Sequence, residues 1–231
     1  MQNKNGLSLR YYQIDAIKAI EKKIRQYPNE KRSLLVMATG TGKTRTVLGL
    51  TYRLIKSDRF KRILFLTDRT LLAGQAKDGF QDNKVENLQT FAGIYQMEDT
   101  TVVQPDSDTR LHFATVQSMV KRLFYSEEPL PIDTYDCIII DEAHRGYNLD
   151  KEIDEGDLHF KDEKDYVSQY KRVIEYFDAY IIGLTATPAL HTTEIFGKPT
   201  HSYSYREAVI DGYLTDHEPP YLIKTKLSEE G

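Results

Sequence analysis

Five apolar runs divide the chain: Ser33-Leu34-Leu35-Val36, Ile63-Leu64-Phe65-Leu66, Leu111-His112-Phe113-Ala114, Cys137-Ile138-Ile139-Ile140 and Ala179-Tyr180-Ile181-Ile182-Gly183-Leu184. They are continuous rather than alternating, which suits strands buried on both faces of a parallel sheet. The segments between them change period. Gln13, Ile17, Ile20 and Ile24 fall on one stripe of a helix over residues 11–26, with Glu21, Lys22, Lys23 and Arg25 off it. Residues 45–56 carry good helix formers with apolar spacing, and a helical stretch holding Leu71, Leu72 and Gln75 follows the second run. Tyr166, Val167, Tyr170, Val173, Ile174 and Phe177 form the stripe of a crossover helix between the fourth and fifth runs. The pattern predicts an α/β fold: a doubly wound, mainly parallel sheet with helices on both faces.

Further signals are local. Ser204-Tyr205-Arg206-Glu207 has capping-box spacing and opens a helix through Ile210, closed by Gly212. Residues 147–165 are polar and mostly acidic, reading as a surface insertion. Pro219-Pro220 interrupts regular structure.

Polar groups follow the strand ends, where open α/β sheets place ligands. The first run leads into Met37-Ala38-Thr39-Gly40-Thr41-Gly42-Lys43-Thr44. Strand, glycine loop and helix are the context of a phosphate-binding loop, or P-loop. Glycines 40 and 42 allow a sharp turn that gathers N–H groups around phosphate oxygens, and the following helix adds its positive end. Lys43 would reach the β- and γ-phosphates of ATP and Thr44 would ligate Mg²⁺. Met37 stands where the usual pattern has its first glycine.

The fourth run ends in Asp141-Glu142-Ala143-His144. A rigid strand-end carboxylate, Asp141, would serve the metal, and Glu142 would orient and deprotonate the attacking water. His144 would bridge the nucleotide site to Thr185 and Thr187 of the fifth run's Thr185-Ala186-Thr187 end. Gln13 carries both a donor and an acceptor, the pair that reads an adenine edge. Arg69, Gln75, Thr115 and Gln117 sit where donors would hold nucleic-acid phosphates. Taken singly, surface or capping roles fit these four equally well.

Composition adds limits. The chain has 231 residues, 40% hydrophobic and 29% charged, enough for a substantial core. A net charge of −4 does not mark a general nucleic-acid binder, so any such surface must be local. Cys137 is the only cysteine, which excludes an internal disulfide and suggests a buried reduced thiol. No run is long enough to span a bilayer and the start lacks a signal-peptide core, so a cytoplasmic protein without membrane contact is expected.

The ordered set is similar to motifs Q, I, Ia, Ib, II and III of superfamily 2 helicases: Gln13, residues 38–44, Thr67-Asp68-Arg69, Thr115-Val116-Gln117, Asp141-Glu142-Ala143-His144 and Thr185-Ala186-Thr187. Residues 141–147, 184–197 and 203–214 resemble the motor (R) subunit of type I restriction-modification enzymes. The resemblance implies a RecA-like ATP-binding lobe over residues 33–215, preceded by a leader and Q-motif helix over 1–32. Residues 216–231 would begin a connection to an absent second lobe. It further implies ATP and Mg²⁺ as cofactors, with Thr39, Gly40, Thr41, Gly42, Lys43 and Thr44 around the nucleotide. The implied partners are double-stranded DNA and the modification and specificity subunits. In that family ATP hydrolysis draws DNA past the complex before cutting. Glu21-Lys22-Lys23 has the letters of the family's nuclease motif but lies on a helix, so no nuclease site is expected. Two competing readings are a lobe of another DNA or RNA helicase and a nucleotide-gated docking module that never turns over.

Overall fold

The computed structural model describes residues 6–67, 70–99, 101–141, 143, 163–188 and 190–216. In chain order these hold α1 (Tyr11–Gln26), β1 (Arg32–Met37), α2 (Lys43–Lys56), β2 (Ile63–Thr67), α3 (Thr70–Asp82), β3 (Lys84–Glu86), β4 (Gln89–Thr90), α4 (Phe91–Ile94) and β5 (Gln96–Glu98). There follow β6 (Thr109–Thr115), α5 (Val116–Phe124), β7 (Cys137–Ile140), α6 (Glu163–Tyr176), β8 (Tyr180–Thr185), α7 (Leu190–Phe196), β9 (His201–Tyr203) and α8 (Tyr205–Ile210). All five apolar runs are strands. The acidic stretch expected to be an insertion lies outside the described residues as far as residue 162, and so does Pro219-Pro220.

Seven strands form one sheet in the order β5-β6-β2-β7-β8-β1-β9, and every pairing in it is parallel. β3 and β4 make a small antiparallel pair beside it. Side chains alternate across the central strands. Leu35, Met37, Cys137 and Ile139 join a core that includes α1, α2 and α3 through Ile17, Leu48 and Phe80. Leu34, Val36, Ile138 and Ile140 join a second core built on α5, α6 and α7 through Met119, Ile174 and Phe196. A sheet with an apolar layer on each face needs no polar side, which is why its strands read as unbroken apolar runs.

Two interior details carry weight. Gly183 in β8 lies under the Phe196 ring, whose atoms stand 2.8–2.9 Å from the position of a Cβ; any larger residue would push the ring off the sheet. His112, in the middle of β6, is fully buried. Its Nδ1 is 2.5 Å from the Tyr135 hydroxyl, and its Nε2 lies 3.2 Å from the Asp99 carbonyl and 3.4 Å from Nη1 of the buried Arg122. Burial, reinforced by the Arg122 charge, lowers its pKa from 6.5 to about 4. The Cys137 thiol is pushed up by burial, as suits a reduced core cysteine.

Two outcomes are expected. Gly183→Ala should destabilise the fold by about 1–3 kcal/mol through overpacking, read as a lower urea midpoint at unchanged slope. Between pH 6.5 and 4 the unfolded chain binds a proton at residue 112 that the folded chain does not. Stability should therefore fall with pH across that window, by roughly 3 kcal/mol at its foot. His201, lowered in the same direction by burial, adds to the slope. His112→Gln should flatten the larger part of it in urea titrations at several pH values.

Candidate functional site

Because the sheet is parallel, every strand delivers its carboxyl end to one edge, where the glycine loop, Asp141 and Thr185 follow or end β1, β7 and β8. β8 separates β1 from β7, and register sets Val36 beside Thr185 and Ile140 beside Gly183. Main-chain bonds continue past the strand ends. Ala38 N–H donates to Tyr203 O at 3.0 Å, Asp141 N–H to Leu66 O at 3.1 Å and Ala143 N–H to Leu184 O at 2.7 Å. The loops at this edge are thereby tied to their neighbours.

The glycine loop is shaped by left-handed residues: Gly40 has φ 83° and Gly42 φ 81°. Thr41 between them is buried and points inward, its hydroxyl donating to Ala38 O at 2.6 Å. Gly42 is the N-cap of α2 and brings no side-chain cap, so the first-turn N–H groups have no capping side chain. The helix dipole favours an anion at this end. Lys43 is half-buried, while Thr39, Gly40 and Thr44 are exposed at the crevice.

α1 fixes the loop from the other side. The Gln13 amide donates to Thr41 O at 3.1 Å and Gly42 O at 3.2 Å, and its Oε1 accepts from Arg10 N–H at 2.9 Å. Tyr12 adds its hydroxyl to Thr41 O at 2.8 Å. With that carbonyl facing α1, the planar peptide turns the Gly42 N–H the opposite way. Gln13, singled out for its capacity to read adenine, is thus buried with its amide engaged by the P-loop backbone.

Asp141, half-buried, follows β7. Thr185 is fully buried; its hydroxyl donates to Thr187 O and accepts from Thr187 N–H, both at 3.1 Å. It therefore shapes its own turn, leaving Thr187 exposed. Glu142, His144 and Arg69 lie outside the described residues. Of the remaining candidates, Gln75 is exposed on α3. Thr115 is buried and caps α5, accepting from Ser118 N–H at 3.1 Å. Gln117 is half-buried, and its Oε1 is without a partner among the described residues.

The set fits a nucleotide with a hard divalent cation: uncapped helix N–H groups and Lys43 for phosphate, the Thr44 hydroxyl and Asp141 carboxylate for metal. Among the described residues no group of three His, Cys, Asp or Glu side chains forms a metal cage. A cation here would share phosphate oxygens, the habit of Mg²⁺. Pattern reasoning missed Tyr12, Tyr203 and Leu214, which back the loop from residues far apart in sequence. The Tyr-Tyr pair directly before Gln13 was the available hint.

A family model described as "Type III restriction enzyme, res subunit" (ResIII) matches residues 6–190. The chain belongs to this family. Over 225 residues it is 54% identical to the "Type I restriction enzyme EcoKI endonuclease subunit" of Escherichia coli strain K12, a match covering 97% of this chain and 19% of that protein. It is 34% identical to the EcoAI endonuclease subunit of Escherichia coli over 225 residues, covering 93% of this chain and 24% of the relative. The chain therefore spans about a fifth to a quarter of these relatives' lengths. Among solved structures, a fragment of an HsdR subunit of a type I restriction enzyme from Vibrio vulnificus YJ016 aligns with TM-score 0.58 and 29% identity, covering 88% of this chain and 32% of that one. The type ISP restriction-modification enzyme LlaBIII, solved bound to DNA, aligns with TM-score 0.65 at 21% identity over 93% of this chain and 16% of its own, and shares the fold. The RecA-like lobe and the restriction-subunit resemblance read from the motifs are what the chain has.

Gly42→Ala tests the loop's geometry. Its Cβ would lie 2.6 Å from Gln13 Nε2, at a φ that L-residues avoid. A loss of about 1–3 kcal/mol is expected from strain and the displaced amide, seen as a lower Tm. Gly74→Ala, where a Cβ meets nothing within 4 Å, should not be destabilising, since alanine is the better helix former.

Proposed function

We propose that this chain is the ATP-binding first motor lobe of a type I restriction endonuclease subunit, coupling ATP hydrolysis to translocation of double-stranded DNA before cleavage. The observation that carries the proposal is the start of α2 at a glycine with no capping side chain, beside a second left-handed glycine and at the same sheet edge as Asp141 and the Thr185 turn. Likeness to a restriction endonuclease subunit at 54% identity supports DNA as the polymer acted on. Under this proposal the modification and specificity subunits are partners of the longer protein. Among the described residues no helix is long and apolar enough to cross a membrane.

Each residue has a task in this reading. The α2 N–H groups and Lys43 bind and orient the β- and γ-phosphates, with Thr39, Gly40, Thr41 and Gly42 setting the loop's path. Thr44 and Asp141 hold Mg²⁺, which when bound would neutralise phosphate charge. Glu142 holds the attacking water and takes its proton. Thr185 and Thr187, with His144, connect the phosphate end to the surface where Arg69, Gln75, Thr115 and Gln117 would meet the DNA backbone. One lobe supplies half of such a site. Motors of this kind place an arginine from a second lobe against the transferred phosphate, a contact contributing a thousandfold or more to turnover.

The chain alone should therefore bind ATP with Mg²⁺ and hydrolyse it slowly, while a version extended through a second lobe should be stimulated by double-stranded DNA. Lys43→Ala should abolish binding of a fluorescent ATP analogue at unchanged Tm, since Lys43 lies on the first turn of α2 and outside both cores. ATP binding without hydrolysis in both versions would favour the docking-module reading. DNA-stimulated turnover surviving Lys43→Ala in the extended protein would refute the enzymatic one.

A further inference from the structure

The P-loop has a third support that neither the motif nor its nucleotide chemistry requires. Beyond α8 the chain turns at Gly212, φ 73°, and doubles back, with Tyr213 N–H and Leu214 N–H both donating to Ala208 O at 2.8 and 3.1 Å. This return places Leu214 against the loop: its Cδ2 lies 3.0 Å from where a Cβ on residue 40 would be. An aromatic stack continues the contact. The Tyr12 ring lies parallel to Tyr203 at 3.9 Å and edge-on to Tyr213 at 5.3 Å, while its hydroxyl holds Thr41 O. The Arg10 guanidinium covers the Tyr213 ring at 4.3 Å. Asp211 accepts from the hydroxyls of Tyr203, at 2.7 Å, and Tyr11.

The turn is thus anchored to α1 and to Gly40, one of the two residues whose left-handed backbone gives the loop its shape. The turn lies at the surface: Leu214 is half-buried, residues 211–213 are exposed, and the Tyr205 hydroxyl at the start of α8 donates to Thr215 O at 2.6 Å. A surface segment whose bonds reach both α1 and the turning point of a ligand loop is placed to respond as that loop changes.

We propose that residues 211–214 form a nucleotide-responsive clasp: Leu214, seated on Gly40, positions the P-loop, and occupancy of the phosphate site tightens the clasp. The proposal rests on the nucleotide-binding reading above. Coupling of this kind is reciprocal. The factor by which nucleotide favours the docked clasp equals the factor by which the docked clasp favours nucleotide.

Amide hydrogen exchange on the 231-residue chain, with and without Mg²⁺ and the non-hydrolysable analogue AMP-PNP, reads both ends. The analogue should slow exchange in peptides covering the P-loop and also in those covering residues 211–216, the latter by about fivefold or more. Leu214→Ala should abolish the slowing at 211–216 and weaken binding of a fluorescent ATP analogue by a similar factor. Leu214→Met should restore both. Ile210→Ala, truncating a side chain 73% exposed at the end of α8, should change neither. Slowing confined to the P-loop would overturn the clasp while leaving nucleotide binding intact. Slowing at neither place would overturn the nucleotide reading itself. Weakened binding in Leu214→Met equal to that in Leu214→Ala would also overturn the clasp.

Discussion

The amide of Gln13 and the missing side chain of Gly42 occupy the same space. With Nε2 2.6 Å from where a Cβ would be, a larger residue at 42 would displace the amide that donates to both Thr41 O and Gly42 O. The left-handed φ at Gly42 then starts α2 abruptly, without a capping side chain. A helix start with a glycine N-cap at a sheet edge suits a phosphate. Glycine, amide and helix start form one device.

Much of this was legible in the sequence, and the reasons differ by element. The five central strands showed because burial on both faces leaves no polar alternation. α1 appeared with its bounds correct because one apolar stripe runs its whole length, Ile17, Ile20 and Ile24 among it. The edge strands did not show. β5 is Gln96-Met97-Glu98 and β9 is His201-Ser202-Tyr203, three residues each, partly exposed, too short for any period to register. α7 escaped because its seven residues include two β-branched threonines and, among its described side chains, bury Thr192 along with Ile195 and Phe196. The glycine loop, Asp141 and Thr185 stand out in the sequence because each ends an apolar run. The contacts of Tyr12, Tyr203 and Leu214 were not, because they join parts of the chain nearly two hundred residues apart, and local pattern holds no information on that pairing.

Electrostatics narrows what the basic residues do. Arg53, Lys56, Arg59, Lys61 and Arg62 make a basic cluster at and just beyond the end of α2. Arg53 reaches Glu21 on α1, with its Nη2 2.9 Å from the carboxylate, and Lys56 pairs with Glu86. Arg62 donates to the carbonyls of Asp106, Ser107, Thr109 and Thr134, gathering loops at the edge opposite the motif residues. Three of the five cations thus have internal work. Exposed pairs such as these contribute little stability each, but they fix geometry: α1 to α2, and α2 to β3.

The sheet edge works as a mechanical unit because its hydrogen bonding does not stop where the strands stop. Asp141 N–H still reaches Leu66 O, Ala143 N–H reaches Leu184 O, and Ala38 N–H reaches Tyr203 O. Each bond ties the first residues of a motif loop to a neighbouring strand or loop, so no motif loop moves free of its neighbours. A shift at the phosphate loop is felt on one side at β8, whose end carries Thr185, and on the other at Tyr203 and the aromatic stack beneath Tyr12. Parallel strand order thereby does two jobs with the same bonds. It brings the polar residues at the strand ends to one edge of the sheet, and it ties the loops after β1 and β7 to the strands beside them.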